Sequence, residues 1–241
     1  MIGRYKVSTH LQDLWNSLHE AHVLAKQNGF SKGLKNKTLD ITEWEQYLAD
    51  RYLLFCTLET RISNSSYPIQ TSSLLHNYTK RSSLIELAIP NHKTILEPSV
   101  KAKQIANIIT NASDWELELH VFIHYGELWF GGSVHAVWIK RLMKHNTIWQ
   151  EYYFPGYPKD KLFKKPKNLS QKIHQDSFEY ETISKITEWF RFGCFEEQKQ
   201  LIQKYFDGFE HFLEQGDNSL KTNEIYKICN ESMKDLTNLT N

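Results

Sequence analysis

The stretch that decides the fold is H-V-F-I-H-Y-G-E-L-W-F-G-G-S-V, residues 120 to 134. It lies within a longer segment that reads as one helix, capped by Asp114 and continuing to about Lys144. The diglycine Gly131-Gly132 interrupts this helix. Glycine in a helix interior costs roughly 1 kcal/mol relative to alanine, so two in succession indicate a kink or a close approach to bare main chain. A crossing helix and the flat face of a ligand both satisfy that pattern.

A second segment, about a hundred residues earlier, carries a histidine in an apolar helical stripe. It reads D-L-W-N-S-L-H-E-A-H-V-L-A, residues 13 to 25. Ser8 or Thr9 can cap this helix, and its apolar positions recur in steps of three and four. His22 lies on the stripe, and a buried imidazole needs a partner. That partner is either a backbone carbonyl or a metal, including haem iron.

The rest of the chain also favours helices. Only 10 Gly and 6 Pro serve 241 residues, too few for the frequent turns of a β-sandwich. Asp40-Ile-Thr-Glu43 is a capping box that opens another long helix. Pro98 begins a helix running to about Thr110, and three further helices are expected around 177–192, 195–214 and 219–237. These patterns predict one all-α domain over residues 1–241, a bundle of seven or eight helices.

Composition excludes several classes of protein. The formal net charge is +1, without the basic surplus of a nucleic-acid binder. The cysteines are Cys56, Cys194 and Cys229, too few and too far apart for a disulfide framework or a Cys-rich zinc site. No apolar run approaches the ~20 residues of a membrane span, and no signal peptide is visible. We therefore expect a reduced, cytoplasmic setting.

His120, His124 and Glu127 form a separate candidate metal set. Their i, i+4, i+7 spacing places them on one helix face, as in carboxylate-bridged di-iron bundles. A full site needs further ligands on facing helices, for which the candidates are His19, Glu20, Glu43 and Glu59. A polar face, solvated or partly buried, explains the same spacing.

Four blocks of the chain together resemble the biliverdin-forming haem oxygenase family. E-A-H-V-L-A-K-Q-N-G-F, residues 20 to 30, resembles the family's proximal-histidine helix. Residues 40 to 59, D-I-T-E-W-E-Q-Y-L-A-D-R-Y-L-L-F-C-T-L-E, resemble its Y-x-x-Y/F-x-x-L-E helix. H-V-F-I-H-Y-G-E-L-W-F-G-G is similar to its distal helix, whose pattern ends G-D-L-S-G-G. K-T-N-E-I-Y-K-I-C-N-E-S-M-K-D-L, residues 221 to 236, is similar to its closing helix.

The resemblance implies an all-α fold with haem held between the first helix and the kinked distal helix. It implies that haem is both substrate and cofactor, opened with dioxygen to biliverdin, carbon monoxide and ferrous iron. The electrons would come from a redox partner such as ferredoxin or a flavoprotein reductase. His22 becomes the iron ligand, Gly131 and Gly132 lie over the ring, Tyr125 lines the haem site, and late-helix basic residues hold the propionates. The last role falls to Lys199 and Lys204.

The distal segment departs from the family pattern. Aligned without a gap, Glu127 replaces the family's first glycine and Leu128 replaces the aspartate that organises distal water. Leucine neither donates nor accepts hydrogen bonds. If the helix holds one extra residue, Gly126-Glu127 replaces Gly-Asp, and Glu127 takes the role of the aspartate.

The sequence leaves three hypotheses about function. The first is an active haem oxygenase in which Glu127 orders the distal water. The second is a protein that binds haem or another tetrapyrrole without oxygenase activity. The third is a non-haem di-iron enzyme on the same fold, with His120, His124 and Glu127 among the ligands.

Overall fold

The protein is all-α in its computed structural model, which describes residues 6–19, 23, 27, 29–65, 80–159, 162–163, 169–190, 196–215, 224–225, 227–232 and 234. In this part of the chain there is no strand. The helices are α1 (Thr9–Ser17), α2 (Gly29–Asn36), α3 (Ile41–Asn64), α4 (Arg81–Leu87), α5 (Val100–Asn111), α6 (Asp114–Glu127), α7 (Ser133–His145), α8 (Thr147–Tyr153), α9 (Leu169–Thr187) and α10 (Glu196–Gln215). A π-turn (Leu128–Gly132) joins α6 to α7, and a 3₁₀ turn (Glu188–Phe190) follows α9.

The all-α prediction is confirmed, although the helices are more numerous than seven or eight. One reason is α4, a short helix before Pro90 that was not predicted from the sequence. Another is Asn146, whose extended backbone ends α7 and whose side chain caps α8. None of the described helices combines the length and the apolar character that crossing a membrane requires.

Local capping signals predicted the starts of α1 and α3 correctly. Ser8 caps α1, with its hydroxyl accepting from the Leu11 amide at 3.3 Å. At α3 the Asp40 carboxylate accepts from the Thr42 amide at 2.6 Å, and the Glu43 carboxylate accepts from the Asp40 amide at 2.9 Å. These contacts satisfy amide groups that have no partner within the helix.

Three predicted boundaries were wrong. The cap of α6 is Ser113 rather than Asp114, because the Ser113 amide donates to the Glu116 carboxylate at 2.7 Å in a capping box. Helix α9 begins at Leu169 rather than near 177, because residues 169 to 176 contain no glycine or proline that would end a helix. Helix α1 ends at Ser17, with Leu18 as its C-cap, whereas the apolar stripe predicts one helix that continues to Ala25.

Helix α3 is the central element of the core. It packs against α4, α5, α6 and α8, and its apolar positions belong to one continuous cluster of buried side chains. Buried indoles fix its first turns: the Trp44 Nε1 donates to the Tyr153 hydroxyl at 2.6 Å, and the Trp149 Nε1 donates to the Leu39 carbonyl at 3.0 Å. A buried tryptophan N–H needs such an acceptor.

The distal segment predicted as one long helix runs through α6, the π-turn and α7. Its backbone stays helical at both junctions, with φ of −55° at Glu127 and −61° at Ser133. A π-turn closes i→i+5 hydrogen bonds and therefore holds one more residue than an α-turn. Gly131 and Gly132 form the end of this wider turn. The interruption that the diglycine predicts in the helix is therefore a π-turn.

Candidate functional site

The two glycines of the π-turn have different surroundings. A β-carbon built on Gly132 would lie 2.0 Å from the Phe190 carbonyl oxygen, so this glycine lets the main chain of the 3₁₀ turn pack directly against the helix. A β-carbon on Gly131 would meet no atom of the described residues within 4 Å. Gly132 is therefore a packing glycine, whereas no part of the chain that the structure describes packs against Gly131.

Glu127 lies one turn before Gly131 and ends α6. Its carboxylate Oε2 is 2.9 Å from the Arg51 Nη2 of α3. The two side chains differ in exposure, because Arg51 is 1% exposed and Glu127 is 27% exposed. Part of the Glu127 side chain is thus exposed beside the π-turn, whereas its Oε2 atom and the Arg51 side chain are buried.

Arg51 is held by the aromatic rings of its own helix. Its guanidinium carbon lies 4.9 Å from the centre of the Phe55 ring and 6.0 Å from that of Tyr47. Both rings are four residues from Arg51, so the three share one face of α3. Such cation–π contacts stabilise a guanidinium that has lost its water. The ion pair is consequently anchored on the α3 side.

Unpartnered polar atoms surround this ion pair. Among the described residues, hydrogen-bond partners are absent for the Tyr47 hydroxyl, the Arg51 Nε, both ring nitrogens of His124 and the Nδ1 of His135, and the Arg51 Nη2 and Glu127 Oε2 atoms approach each other without hydrogen-bond geometry. Buried polar atoms are normally bonded, and exceptions often indicate water or a ligand. The charges of Glu127 and Arg51 both act on His135, so its ring belongs to the same polar cluster, and Glu127 lies immediately before the π-turn that contains Gly131.

The cluster also perturbs its titratable groups. Burial lowers the pKa of His124 well below its usual value, and the nearby charges of Arg51 and His120 lower it further. Burial likewise lowers the pKa of His135, although Glu127 opposes the effect. Burial raises the pKa of the Tyr47 hydroxyl. Both imidazoles are therefore neutral near pH 7.

Tyr125 occupies a different buried contact. Its ring packs edge-on against Phe55, with centroids 5.2 Å apart. Its hydroxyl lies 3.5 Å from a carboxylate oxygen of Glu59, which also accepts from the Ser82 amide at 3.2 Å. Burial raises the pKa of Glu59. Tyr125 and Glu59 thus link α6 to α3 and to the start of α4.

The two lysines assigned to the haem propionates lie on the exposed side of α10. Lys199 pairs with Glu196 of the same helix at 2.9 Å, and Lys204 is exposed. The buried residues of this helix face the core instead, where Tyr205 and Phe206 pack against Trp129 at centroid distances of 4.9 and 5.6 Å.

His22 lies outside the described residues, as does Glu20 of the alternative di-iron set. The other members of that set are dispersed. The His120 and His124 rings are 6.2 Å apart, Glu127 pairs with Arg51, and Glu43 is an exposed capping residue. Within the described ranges, no group of three or more His, Cys, Asp or Glu side chains is arranged to hold a metal ion.

Sequence reasoning missed Arg51, Tyr47 and His135 as members of the site. A signal for Arg51 was present, because an arginine on an otherwise apolar helix face is rarely buried without a partner. His135 carried no such signal, since its position in the cluster depends on the π-turn. Its ring lies between Phe30 and Phe190, with centroids 6.0 and 5.6 Å away.

Comparisons with known proteins add no relative to this description. No protein-family model matches the chain, and no curated protein sequence matches it.

Proposed function

We propose that the chain binds haem and acts as a biliverdin-forming haem oxygenase. The observation that supports the proposal is the main chain at Gly131, which no described atom covers within 4 Å of a built β-carbon, one turn from the 27% exposed side chain of Glu127. A flat macrocycle needs a helix surface without side chains, and Gly131 offers one while its neighbour Gly132 is used for packing. In this proposal the imidazole of His22 would be the protein ligand of the haem iron.

The π-turn supports one of the two alignments of the distal helix. Since it holds one extra residue, it favours the alignment in which Gly126-Glu127 replaces the family's Gly-Asp. Leu128, which the gapless alignment puts in the place of the aspartate, is buried in the core. Glu127 is then the distal carboxylate of the proposed site.

The residues of the chain divide the remaining tasks. An ionised carboxylate accepts hydrogen bonds, so Glu127 orders distal water while Arg51 fixes its position. Lys199 and Lys204 are the proposed partners of the propionates. Haem, when bound, supplies the iron that activates dioxygen and the ring that is opened to biliverdin, carbon monoxide and ferrous iron. The electrons come from an external redox partner, of the ferredoxin or flavoprotein reductase kind.

Hemin titration of the purified protein tests the proposal in two stages. The first stage expects a saturable Soret band that His22→Ala shifts or weakens. The second adds a reductant and oxygen, and expects the Soret band to decay while the broad red absorbance of biliverdin grows. Glu127→Leu is the matched distal variant, which should bind hemin but slow this conversion.

The results of these titrations distinguish the three functional hypotheses. A stable Soret band that survives reductant and oxygen would leave a haem-binding protein without oxygenase activity. Failure of the wild-type protein to bind hemin would refute the proposal. Roughly two irons per chain in protein purified without haem, lost in His124→Ala, would favour the di-iron reading instead.

A further inference from the structure

A cavity of about 420 Å³ lies between α5, α6 and a helical segment formed by residues 227–232. Its volume is in the range that small-molecule sites occupy. Part of its wall is apolar, at Ile108 and Ile228. The polar residues that line it are Asn107, Asn111, Glu116, His120, Glu231 and Ser232. The haem site proposed above uses none of these residues.

Two side chains of this lining form a pair of nucleophile and base. The Ser232 Oγ lies 3.1 Å from the His120 Nδ1, which is the reach at which a base takes a hydroxyl proton. In the tautomer that carries its proton on Nε2, the imidazole accepts at Nδ1 and the serine hydroxyl donates. Both residues are 4% exposed, and both line the cavity. A small molecule in the cavity would therefore contact a hydroxyl that is otherwise shielded from water.

The third group beside this pair is the Glu116 carboxylate, one turn before His120 on α6. The Ser113 hydroxyl donates to its Oε2 at 2.6 Å, which fixes the side chain. That hydrogen bond lowers the pKa of the Glu116 carboxyl, and the charge of His120 lowers it further. An ionised carboxylate in turn favours the imidazolium that His120 becomes when it takes a proton. The three groups can thus take the roles of a Ser-His-acid triad.

We propose that Ser232, His120 and Glu116 form a second site, which cleaves small carboxylic esters. The Ser232 Oγ attacks the ester carbonyl carbon while its proton passes to the His120 Nδ1. The imidazolium then gives that proton to the departing alcohol, and an acyl ester of Ser232 remains. Water, deprotonated by the same nitrogen, releases the carboxylic acid and restores the hydroxyl. Asn107 and Asn111 line the same cavity and supply carboxamide N–H groups, a type of donor that stabilises the oxyanion.

The charge of the cavity selects among esters. Glu116 and Glu231 are the acidic residues of its described lining, which contains no lysine or arginine. A cleft lined by negative charge attracts cations and repels anions. We therefore expect the cationic ester 3-acetoxy-N,N,N-trimethylanilinium to be cleaved at least about tenfold faster than 3-acetoxybenzoate, each relative to its rate in buffer. Equal relative rates would overturn the assignment of the substrate class.

Labelling of the apoprotein with diisopropyl fluorophosphate tests the site itself. In that reaction a bond forms between the Ser232 Oγ and phosphorus, fluoride leaves, and the hydroxyl proton goes to His120. We expect the adduct on the tryptic peptide 228–234, in which Ser232 is the one hydroxyl residue. Mass spectrometry locates it in wild-type protein, so the result does not depend on the folding of a variant. Absence of the adduct, or an adduct only at other residues, would overturn the proposal.

Variants then assign the roles. Ser232→Ala should abolish the adduct, and His120→Gln should slow its formation about 100-fold or more, as expected for loss of a general base. Ser83→Ala is the matched control, because it removes an exposed hydroxyl outside the cavity, and it should react at the wild-type rate. A wild-type labelling rate in His120→Gln would contradict the assignment of the base.

Glu116 is a positioning residue, and its test is the pH dependence of labelling. Labelling should rise with pH as the imidazole loses its proton. Glu116→Gln removes the charge that favours the imidazolium, so the midpoint of this rise should move down by about half a pH unit. A slower reaction with an unmoved midpoint would contradict this role. All of these measurements use protein without haem, so their failure and failure to bind hemin are separate outcomes.

Discussion

The adjacent glycines of the π-turn predict opposite results for the same substitution. Gly132→Ala should destabilise the apoprotein, because the new methyl group would lie 2.0 Å from the Phe190 carbonyl oxygen. That oxygen belongs to the main chain and cannot rotate away, so the cost should reach the upper part of the about 1 to 3 kcal/mol range for overpacking. Improved helix propensity returns roughly 1 kcal/mol, leaving a net loss of about 2 kcal/mol.

Gly131→Ala is the matched control. It meets no described atom within 4 Å, so the same propensity term should make the apoprotein more stable by up to about 1 kcal/mol. The difference between the two variants is then about 3 kcal/mol, or roughly 6 to 12 °C in Tm for a chain of this size.

Thermal unfolding followed by circular dichroism measures both variants, and hemin titration of Gly131→Ala adds a functional readout. The methyl group should weaken hemin binding although the apoprotein is stable. Equal Tm values for the two variants would refute the distinction between them. Undiminished hemin affinity of Gly131→Ala would show that the open main chain is not the haem face.

Two further predictions concern the polar cluster. Glu127→Leu leaves the 1% exposed Arg51 unpaired and should cost about 3 to 5 kcal/mol in urea unfolding. Arg51→Met should lower the free energy of unfolding clearly less, because the Glu127 side chain is 27% exposed and can regain water. The double variant Arg51→Met with Glu127→Leu should lie within about 1 kcal/mol of wild type. If the losses of the two single variants simply add in the double variant, the two residues do not form a buried pair. The lowered pKa of His124 means that the unfolded chain binds its proton at higher pH than the folded chain does. The free energy of unfolding should therefore fall as pH drops below about 6.5, by up to about 1.4 kcal/mol per pH unit for this residue. His124→Gln should flatten that slope, and an unchanged slope would contradict the prediction.

Features set by neighbouring residues could be predicted from the sequence. The capping box of Asp40 and Glu43 and the cap at Ser8 depend on contacts within one helix turn, and both are present. The all-α class followed from the scarcity of glycine and proline and from apolar positions at helical spacing. Boundaries without a local signal, such as the start of α9 at Leu169, were missed.

Features set by distant residues could not be predicted. Gly131 and Gly132 look alike in the sequence, and only the position of Phe190 makes one a packing glycine. Arg51 falls on an apolar face of α3, but nothing in its sequence position identifies Glu127 as its partner. The π-turn was also beyond reach, because a diglycine in a helix is compatible with a kink, a crossing helix or an extra residue.

Hemin binding by His22→Gly, with imidazole added back, is the most direct test of the central claim. The account predicts that this variant loses the wild-type Soret band and that free imidazole restores it, by replacing the missing ligand. His19→Gly is the matched control, an exposed histidine in the same segment, and should keep the wild-type spectrum. An unchanged Soret band in His22→Gly would contradict the account.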